Sequence, residues 1–394
     1  MGGISSFSFG LVKGLQQTGH QLRVVTAFGP PGRHLENGIG VIRSSRLHKW
    51  RLLREPPFLL AVFLAAVKQR PDVIFCTKLS RGGVMCWLLH QLFRIPYVLL
   101  IHGSELTNHS AHPLLGRIVR KLINDAQWIV TNSRFTVDLV TKHVGPGLNP
   151  TVIHPPLDSE AFNLHPDTRD LDERFGLRGK RVLLTVGHLV ERKGHLEVIK
   201  ALDAIKDRYP DLVYVIAGGA GTIRPSLEEL AANLGLSQRV IFTGFVERQD
   251  LEKLYARTEI FVMPSRIAGD DVEGFGIAYQ EANLYGKPVI GGNSGGVSEA
   301  VIDGETGILV EPQDIAQIIG ALTALLDDAT LRRKLGEAGR QRVLNDLSIK
   351  GQVQKLEHVL QESCRNGKTN PLPELAERSP DGPNRWRRSL SSKH

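Results

Sequence analysis

The sequence predicts an α/β protein built from two successive units, each a parallel sheet with helices on both faces. Three observations carry this reading. Short, near-continuous runs of Val, Ile and Leu alternate with longer segments of helical period, the pattern of strands buried on both sides. The alternation runs once through the first half and restarts at Arg181. At 394 residues the chain is also longer than one ordinary domain requires.

The first unit opens Met1-Gly2-Gly3-Ile4 and passes straight into a helical pattern (Phe9, Leu11, Val12, Leu15) that ends at Gly19. In a nucleotide-type α/β domain a glycine-rich turn follows the first strand and opens a helix. No strand precedes the glycines here, so the first N-terminal strand is expected to be missing. Candidate strands follow at Leu22 to Thr26, Asp72 to Cys76, Tyr97 to Ile101 and Trp128 to Asn132. In the second unit they lie at Arg181 to Gly187, Leu212 to Ala217, Val240 to Thr243, Ile260 to Met263 and Pro288 to Gly291. Between the units, His154-Pro155-Pro156 and the polar stretch Asn163 to Lys180 suit a connection. The expected division is a domain over 1–158, a connector over 159–178, a second domain over 179–345 and a last helix over 346–364. Beyond it, residues 365–394 read as a disordered tail with seven basic and three acidic residues.

Composition excludes several classes. Hydrophobic residues at 41% and charged residues at 23% fit neither a membrane bundle nor a wholly disordered chain. The net charge of +8 suits phosphates or anionic surfaces. Three cysteines without a C-x-x-C pair indicate neither a disulfide framework nor a structural zinc site, which fits a reducing cytoplasm. The longest apolar stretch, Phe58 to Val67, is about half the roughly 20 residues a membrane-spanning helix needs. The start lacks the blocks of a signal peptide, so the expectation is a chain neither exported nor inserted.

The most informative stretch, Pro264 to Glu281, reads P-S-R-I-A-G-D-D-V-E-G-F-G-I-A-Y-Q-E between a strand and a helix. Gly274 and Gly276 let backbone N–H groups and the positive helix end approach an anion. Glu273 and Glu281 are separated by roughly two helical turns and could accept hydrogen bonds from sugar hydroxyls. A second stretch runs from Thr185 through Gly187 to Arg192, Lys193 and Gly194. Adjacent Arg and Lys at a parallel strand's carboxyl end are placed to neutralise a diphosphate. Taken singly, each of these is as easily a solvated surface feature.

The order G-x4-R-K-G, then E-G-F-G-x4-E-A, then Gly292-Asn293-Ser294-Gly295-Gly296 is far more specific. With G-G-I-S-S-F, P-D-V-I-F, I-H-G-S-E-L, the N-S-R-F-T stretch from Asn132, I-A-G-G-A-G from Ile216 and the Gly304 to Gly307 turn, it resembles glycosyltransferase family 4 from Gly2 to about residue 360. The motif is most similar to bacterial mannosyltransferases that use GDP-mannose. The resemblance implies the GT-B fold, two Rossmann-like domains with parallel sheets facing a cleft, and retaining transfer of a hexosyl group, mannose favoured, from a nucleotide-sugar. GDP-mannose is the favoured donor, with a UDP-sugar as the other candidate. The acceptor would be a glycan or lipid-linked molecule in envelope polysaccharide or glycolipid synthesis.

Carried over by resemblance, Arg192 and Lys193 hold the donor diphosphate, with Gly187 in the same loop. The backbone of Phe275, Gly276 and Ile277 meets phosphate and sugar. Glu273 binds donor sugar hydroxyls and Glu281 the ribose, while Gly244, Phe245 and Val246 lie near the base. Gly2 and Gly3 match the glycine loop, and His102 the histidine bordering the reacting sugar. Both Glu273→Ala and Lys193→Ala are expected to reduce transfer without unfolding the protein. No metal or other cofactor is implied. Asp170-Leu171-Asp172 is a nominal D-x-D, but its charged neighbours read as a solvated helix start. The last helix would cross back to the first domain.

The segment Arg43 to Arg54, with Arg46, Lys49, Trp50 and Arg51, precedes the apolar run, and Arg117, Arg120 and Lys121 form a second basic face. Such elements could hold a cytoplasmic protein at the inner face of an anionic membrane; a core helix behind a charged loop fits equally. No nucleic-acid partner is indicated. Three rivals stand beside the transferase reading: a GT-B sugar-nucleotide epimerase, a dinucleotide-dependent oxidoreductase, whose G-x-G-x-x-G fingerprint is lacking, and a truncated, inactive transferase-like chain.

Overall fold

A computed structural model describes residues 3–26, 32–36, 39–43, 51–79, 81–110, 113–219 and 221–365. Gly2, the basic segment 44–50 and the tail from 366 lie outside the described residues.

Helix α1 (Gly3–Gln17) leads into β1 (Arg23–Thr26), β2 (Gly32–Glu36) and β3 (Ile39–Arg43). These form a small sheet in which β3 runs parallel to β1 and antiparallel to β2. After α2 (Arg51–Gln69), the strands β4 (Ile74–Cys76), β5 (Tyr97–Ile101), β6 (Trp128–Thr131) and β7 (Thr151–Val152) pair side by side, all parallel. Between them run α3 (Arg81–Phe93), α4 (Ser104–Ser110), α5 (Pro113–Asn124) and α6 (Arg134–Val144). Among the described residues no ladder joins β1 to β4.

Sequence alone missed β2, β3 and β7, and in the second domain the strand Gly307–Val310, read only as the turn that precedes it. Of these, β2 is polar (G-R-H-L-E) and β7 is two residues long, too short for a period. The alternation that defines the other strands is visible in the packing. On β5, Tyr97, Leu99 and Ile101 face one apolar cluster, while Val98 and Leu100 face another with Phe7, Leu11 and Leu15 of α1. That second cluster is completed by Val353, Leu356 and Val359 of the final helix.

The second sheet orders β10-β9-β8-β11-β12-β13, all parallel, from β8 (Arg181–Val186), β9 (Leu212–Ala217), β10 (Val240–Gly244), β11 (Ile260–Met263), β12 (Val289–Gly292) and β13 (Gly307–Val310). Both faces are buried: Leu212, Tyr214 and Ile216 point to one cluster, Val213, Val215 and Ala217 to the other. Helices α7 (Arg169–Phe175), α8 (His195–Ile205), α9 (Arg224–Asn233), α10 (Arg248–Arg257), α11 (Ile277–Leu284), α12 (Val297–Ala300), α13 (Ile315–Asp327) and α14 (Ala329–Asn345) surround it. Asp314 and Asp328 accept N–H groups at the starts of α13 and α14, satisfying donors that the helices cannot.

Two expectations gain detail. The segment 159–178 contains α7, whose Leu171 is buried in the second core. The D-x-D lies on this helix: Asp170 pairs with Lys253 at 2.6 Å and Asp172 with Arg257 at 2.7 Å. The final helix, α15 (Ile349–Arg365), lies against α1 and the first sheet.

Candidate functional site

The carboxyl ends of β8 and β11 bring the two motif stretches together. After β8 the chain passes through Gly187 and a single 3₁₀ turn, Glu191–Lys193, into α8. Gly187 has φ +154°, and a Cβ there would sit 2.9 Å from Cε of Lys193, so glycine lets the lysine stem lie along the backbone. After β11 the loop 264–276 runs to Gly276, which caps α11.

At their junction Nζ of Lys193 donates to Oε2 of Glu273 at 2.6 Å, and Nη1 of Arg192 donates to the same oxygen. Arg192 also pairs with Asp271 at 3.0 Å. Burial works to raise the Glu273 carboxyl, but Lys193 and Arg192 overcome it and hold it below the usual carboxylate range. Burial pulls the Lys193 ammonium down, with Glu273 opposing. Arg192 is raised, because Glu273 and Asp271 outweigh its own burial. The result is a low-dielectric cluster with two cations beside the amino end of α11.

Glu281 lies in α11, where Tyr255 of α10 donates to its Oε2 at 2.6 Å; burial raises its pKa, opposed by that hydrogen bond. Gly244 ends β10, and its carbonyl accepts the N–H of Gly218 at 3.0 Å. Phe245 is 71% exposed, whereas Val246 packs against the core. Phe275 turns its ring inward onto His154, centroids 5.0 Å apart, leaving its backbone to the loop. Ile277 touches the apolar clusters of both domains, and a Cβ on Gly3 would lie 3.6 Å from its Cδ1.

His102 follows β5 in the first domain. Its Nε2 lies 3.0 Å from the Thr77 carbonyl, which can only accept, so that nitrogen carries the proton. Its backbone N–H donates to Glu105 at 3.2 Å, and its ring meets Phe7 edge-on. The carbonyl of His102 faces Gly274: a Cβ on that glycine would lie 2.6 Å from both this oxygen and Nδ2 of Asn132. The domains therefore meet at the E-G-F-G loop. Thr107 adds a hydrogen bond to the Asp270 carbonyl at 2.8 Å. Glu299 of α12 accepts from Phe135 N–H at 3.2 Å and lies 3.0 Å from Nε2 of His154.

Sequence reasoning missed Asp271, Asn132, Glu299 and Tyr255 as parts of the site. Asp271 and Asn132 stood inside quoted motifs, but nothing local marked them as partners of residues more than 25 positions away. Among the described residues no group of His, Cys, Asp or Glu has the arrangement of a metal site, and no helix is long and apolar enough to cross a membrane.

Comparison with known proteins gives the family. The model for Glycosyltransferase Family 4 matches residues 1–161, and that for Glycosyl transferases group 1 matches 167–342. The chain is 35% identical to the GDP-mannose-dependent alpha-(1-6)-phosphatidylinositol monomannoside mannosyltransferase of Mycolicibacterium smegmatis, over 66% of this chain and 68% of that one. Identity to the Mycobacterium tuberculosis protein of the same name is 33%, over 61% of this chain and 63% of that protein. The GDP-mannose-dependent monoacylated alpha-(1-6)-phosphatidylinositol monomannoside mannosyltransferase of Corynebacterium glutamicum is 33% identical, over 67% and 69%. Among solved structures, sucrose-phosphate synthase from Thermosynechococcus elongatus superposes with TM-score 0.74 over 89% of this chain and 91% of that one, at 22% identity. Anabaena HepE with UDP and glucose gives 0.67 over 82% and 86%, at 23%. These two likenesses concern the fold. Both family models, the relatives and the parallel sheets of the two domains agree: the chain belongs to glycosyltransferase family 4 and is a glycosyltransferase of the GT-B fold.

Proposed function

We propose that the chain transfers a hexosyl group, mannose in the first instance, from a nucleotide-sugar to a lipid-linked or glycan acceptor, with retention of anomeric configuration. The observation that carries this is the pairing of Lys193 and Arg192 with Glu273 beside the amino end of α11. Two cations and a helix start suit a diphosphate leaving group, and a carboxylate at their edge suits sugar hydroxyls. GDP-mannose is the favoured donor because the relatives named above are GDP-mannose-dependent; a UDP-sugar is the second candidate.

In this reading the acceptor hydroxyl attacks the anomeric carbon on the face from which the diphosphate departs. The bond from that carbon to the phosphate oxygen breaks, and the hydroxyl proton passes to the departing diphosphate. Lys193, Arg192 and the α11 amino end stabilise the charge that develops, without a metal or cofactor. His102 and Gly3, from the first domain, border the sugar; Glu281 takes the ribose, and the exposed Phe245 ring offers a stacking surface to the base. Domain contact at Gly274 excludes water from the cleft.

A peripheral position at the inner face of an anionic membrane belongs to the same reading. Exposed apolar residues line three neighbouring helices of the first domain: Leu60, Leu64 and Val67 on α2, Leu88, Leu92 and Phe93 on α3, Leu115 and Ile118 on α5. Lys68, Arg70, Arg94, Arg117 and Arg120 are exposed beside them, and α3 and α5 contain no acidic residue. An apolar face with a basic rim matches anionic lipid.

Thermal-shift titration with GDP-mannose, UDP-glucose and UDP-N-acetylglucosamine tests the donor, because a ligand bound by the folded state alone raises its stability. Stabilisation by GDP-mannose, followed by transfer to a lipid-linked mannoside that survives excess EDTA, is expected. Stabilisation by none of the three in a folded protein removes the reading.

A further inference from the structure

The loop 264–276 touches the 3₁₀ turn that carries Arg192 and Lys193 at both of its ends. Its far end is Glu273. Its near end is Arg266, which has no part in the site described so far. The Arg266 backbone N–H donates to the Arg192 carbonyl at 2.8 Å. Its guanidinium then reaches two carboxylates on either side of the cation pair. Nη2 lies 2.6 Å from Oε1 of Glu191, the first residue of the turn, and Nη1 donates to Oε1 of Glu197 in the first turn of α8. The side chain is 13% exposed and that of Glu197 is 6% exposed.

A guanidinium can bind two carboxylates at once because its N–H groups diverge in one rigid plane, which the ammonium of lysine cannot reproduce. One side chain therefore fixes the turn before Arg192 and the helix after Lys193 to the same loop that carries Glu273. With both of its own partners acidic, Arg266 is neutralised where it stands and is not a third phosphate ligand. We infer that Arg266 is a positioning residue. It sets where Lys193 and Arg192 stand, and so how tightly they hold the donor diphosphate. The inference rests on the donor role of those two cations.

The test is a double-mutant cycle read by calorimetric binding of GDP, with UDP run beside it. Wild type, Arg266→Met, Lys193→Met and the double variant are compared, and each is checked for cooperative unfolding. Arg266→Met is expected to lose about tenfold in nucleoside diphosphate affinity. In the Lys193→Met background the same change should cost clearly less, because it acts through a cation already removed. Arg266→Lys keeps a charge in place should the methionine variant not fold, and is expected to fall between the two. A purely structural role would lower the unfolding midpoint of Arg266→Met and leave the GDP affinity of its folded form unchanged, which overturns the inference. Losses that multiply fully in the double variant also overturn it. If wild type binds neither nucleotide, the donor reading itself fails and this inference falls with it; if wild type binds and the Arg266 variants bind equally well, only this inference is lost.

Discussion

Nζ of Lys193 and Oε2 of Glu273 lie 2.6 Å apart although the residues are 80 positions apart in the chain, and both side chains are largely sealed from solvent. The sequence predicts that either can be removed without unfolding the protein, as groups that serve the ligand rather than the core. Their mutual pairing adds a stability cost to that expectation. Removing one partner of a buried pair leaves the other charge uncompensated, which costs about 3 kcal/mol. Glu273→Ala strands Lys193 and takes one partner from Arg192, so it should lower stability by about that amount as well as suppress transfer. Lys193→Met should cost less, because Arg192 still neutralises the carboxylate. Urea unfolding of the two variants beside wild type checks the order; equal stability of all three would mean that the pair does not form.

Gly274 makes a sharper prediction because it concerns geometry alone. A methyl group there would lie 2.6 Å from the His102 carbonyl and the Asn132 amide, atoms of the opposite domain. To reach ordinary contact at 3.4 Å or more, either the E-G-F-G loop or the domain must yield by about 1 Å. Misplacement on this scale can reduce a positioned reaction about 100-fold. Gly274→Ala should therefore lose kcat on that order while keeping most of its affinity for free nucleotide, whose cation turn is untouched. Transfer near wild-type rates would show that the domains need not meet here.

Five of the six strands of the second sheet were legible because they are buried on both faces: every residue of Leu212–Ala217 is apolar and buried, whereas the edge strand Gly307–Val310 is half-buried and follows directly on a turn. Strands that are short or half-polar, such as Thr151–Val152 and Gly32–Glu36, left no period to detect. The candidate site divides in the same way. Arg192, Lys193 and Glu273 stood out because their motifs have a fixed order along the chain. The tether of His102 to the Thr77 carbonyl was invisible, since a backbone acceptor has no residue type. Arg266 stands inside the motif that begins at Pro264, yet no local pattern marks it, because its two carboxylates lie 69 and 75 positions away.

The apolar rows on the first domain predict membrane contact that substitution can remove without touching a core. Leu64 and Leu92 are 55% and 59% exposed, on neighbouring helices. Changing both to Glu removes apolar contact and places acidic groups on a face whose rim is basic. Cosedimentation with vesicles rich in anionic lipid should fall at least tenfold, the thermal midpoint should stay within a few degrees, and transfer to a soluble acceptor should be unchanged. Vesicle binding that survives the double substitution would place the contact elsewhere.

Stability should also report a buried histidine under the donor loop. His195 is 1% exposed, with Nδ1 3.1 Å from the Tyr214 hydroxyl and Nε2 3.3 Å from the His188 carbonyl. Burial depresses its pKa from 6.5 to about 4, the His188 carbonyl opposing and the Lys193 charge assisting. Below pH 6.5 the unfolded chain therefore takes up a proton that the folded chain refuses, and stability falls as the pH drops toward 4. The depression is worth about 3 kcal/mol across that window. Glu273 acts lower on the scale: its carboxyl is held below the usual 4.5, so its contribution is present above that value and lost beneath it. Urea unfolding at intervals between pH 7 and pH 4.5 covers the histidine's window; Glu281, raised above 4.5 by burial, acts there with the opposite slope, so the histidine's share is read by difference from a variant. His195→Gln, which cannot titrate, should flatten the slope over this range; a variant that keeps the wild-type slope would assign the pH dependence to another group.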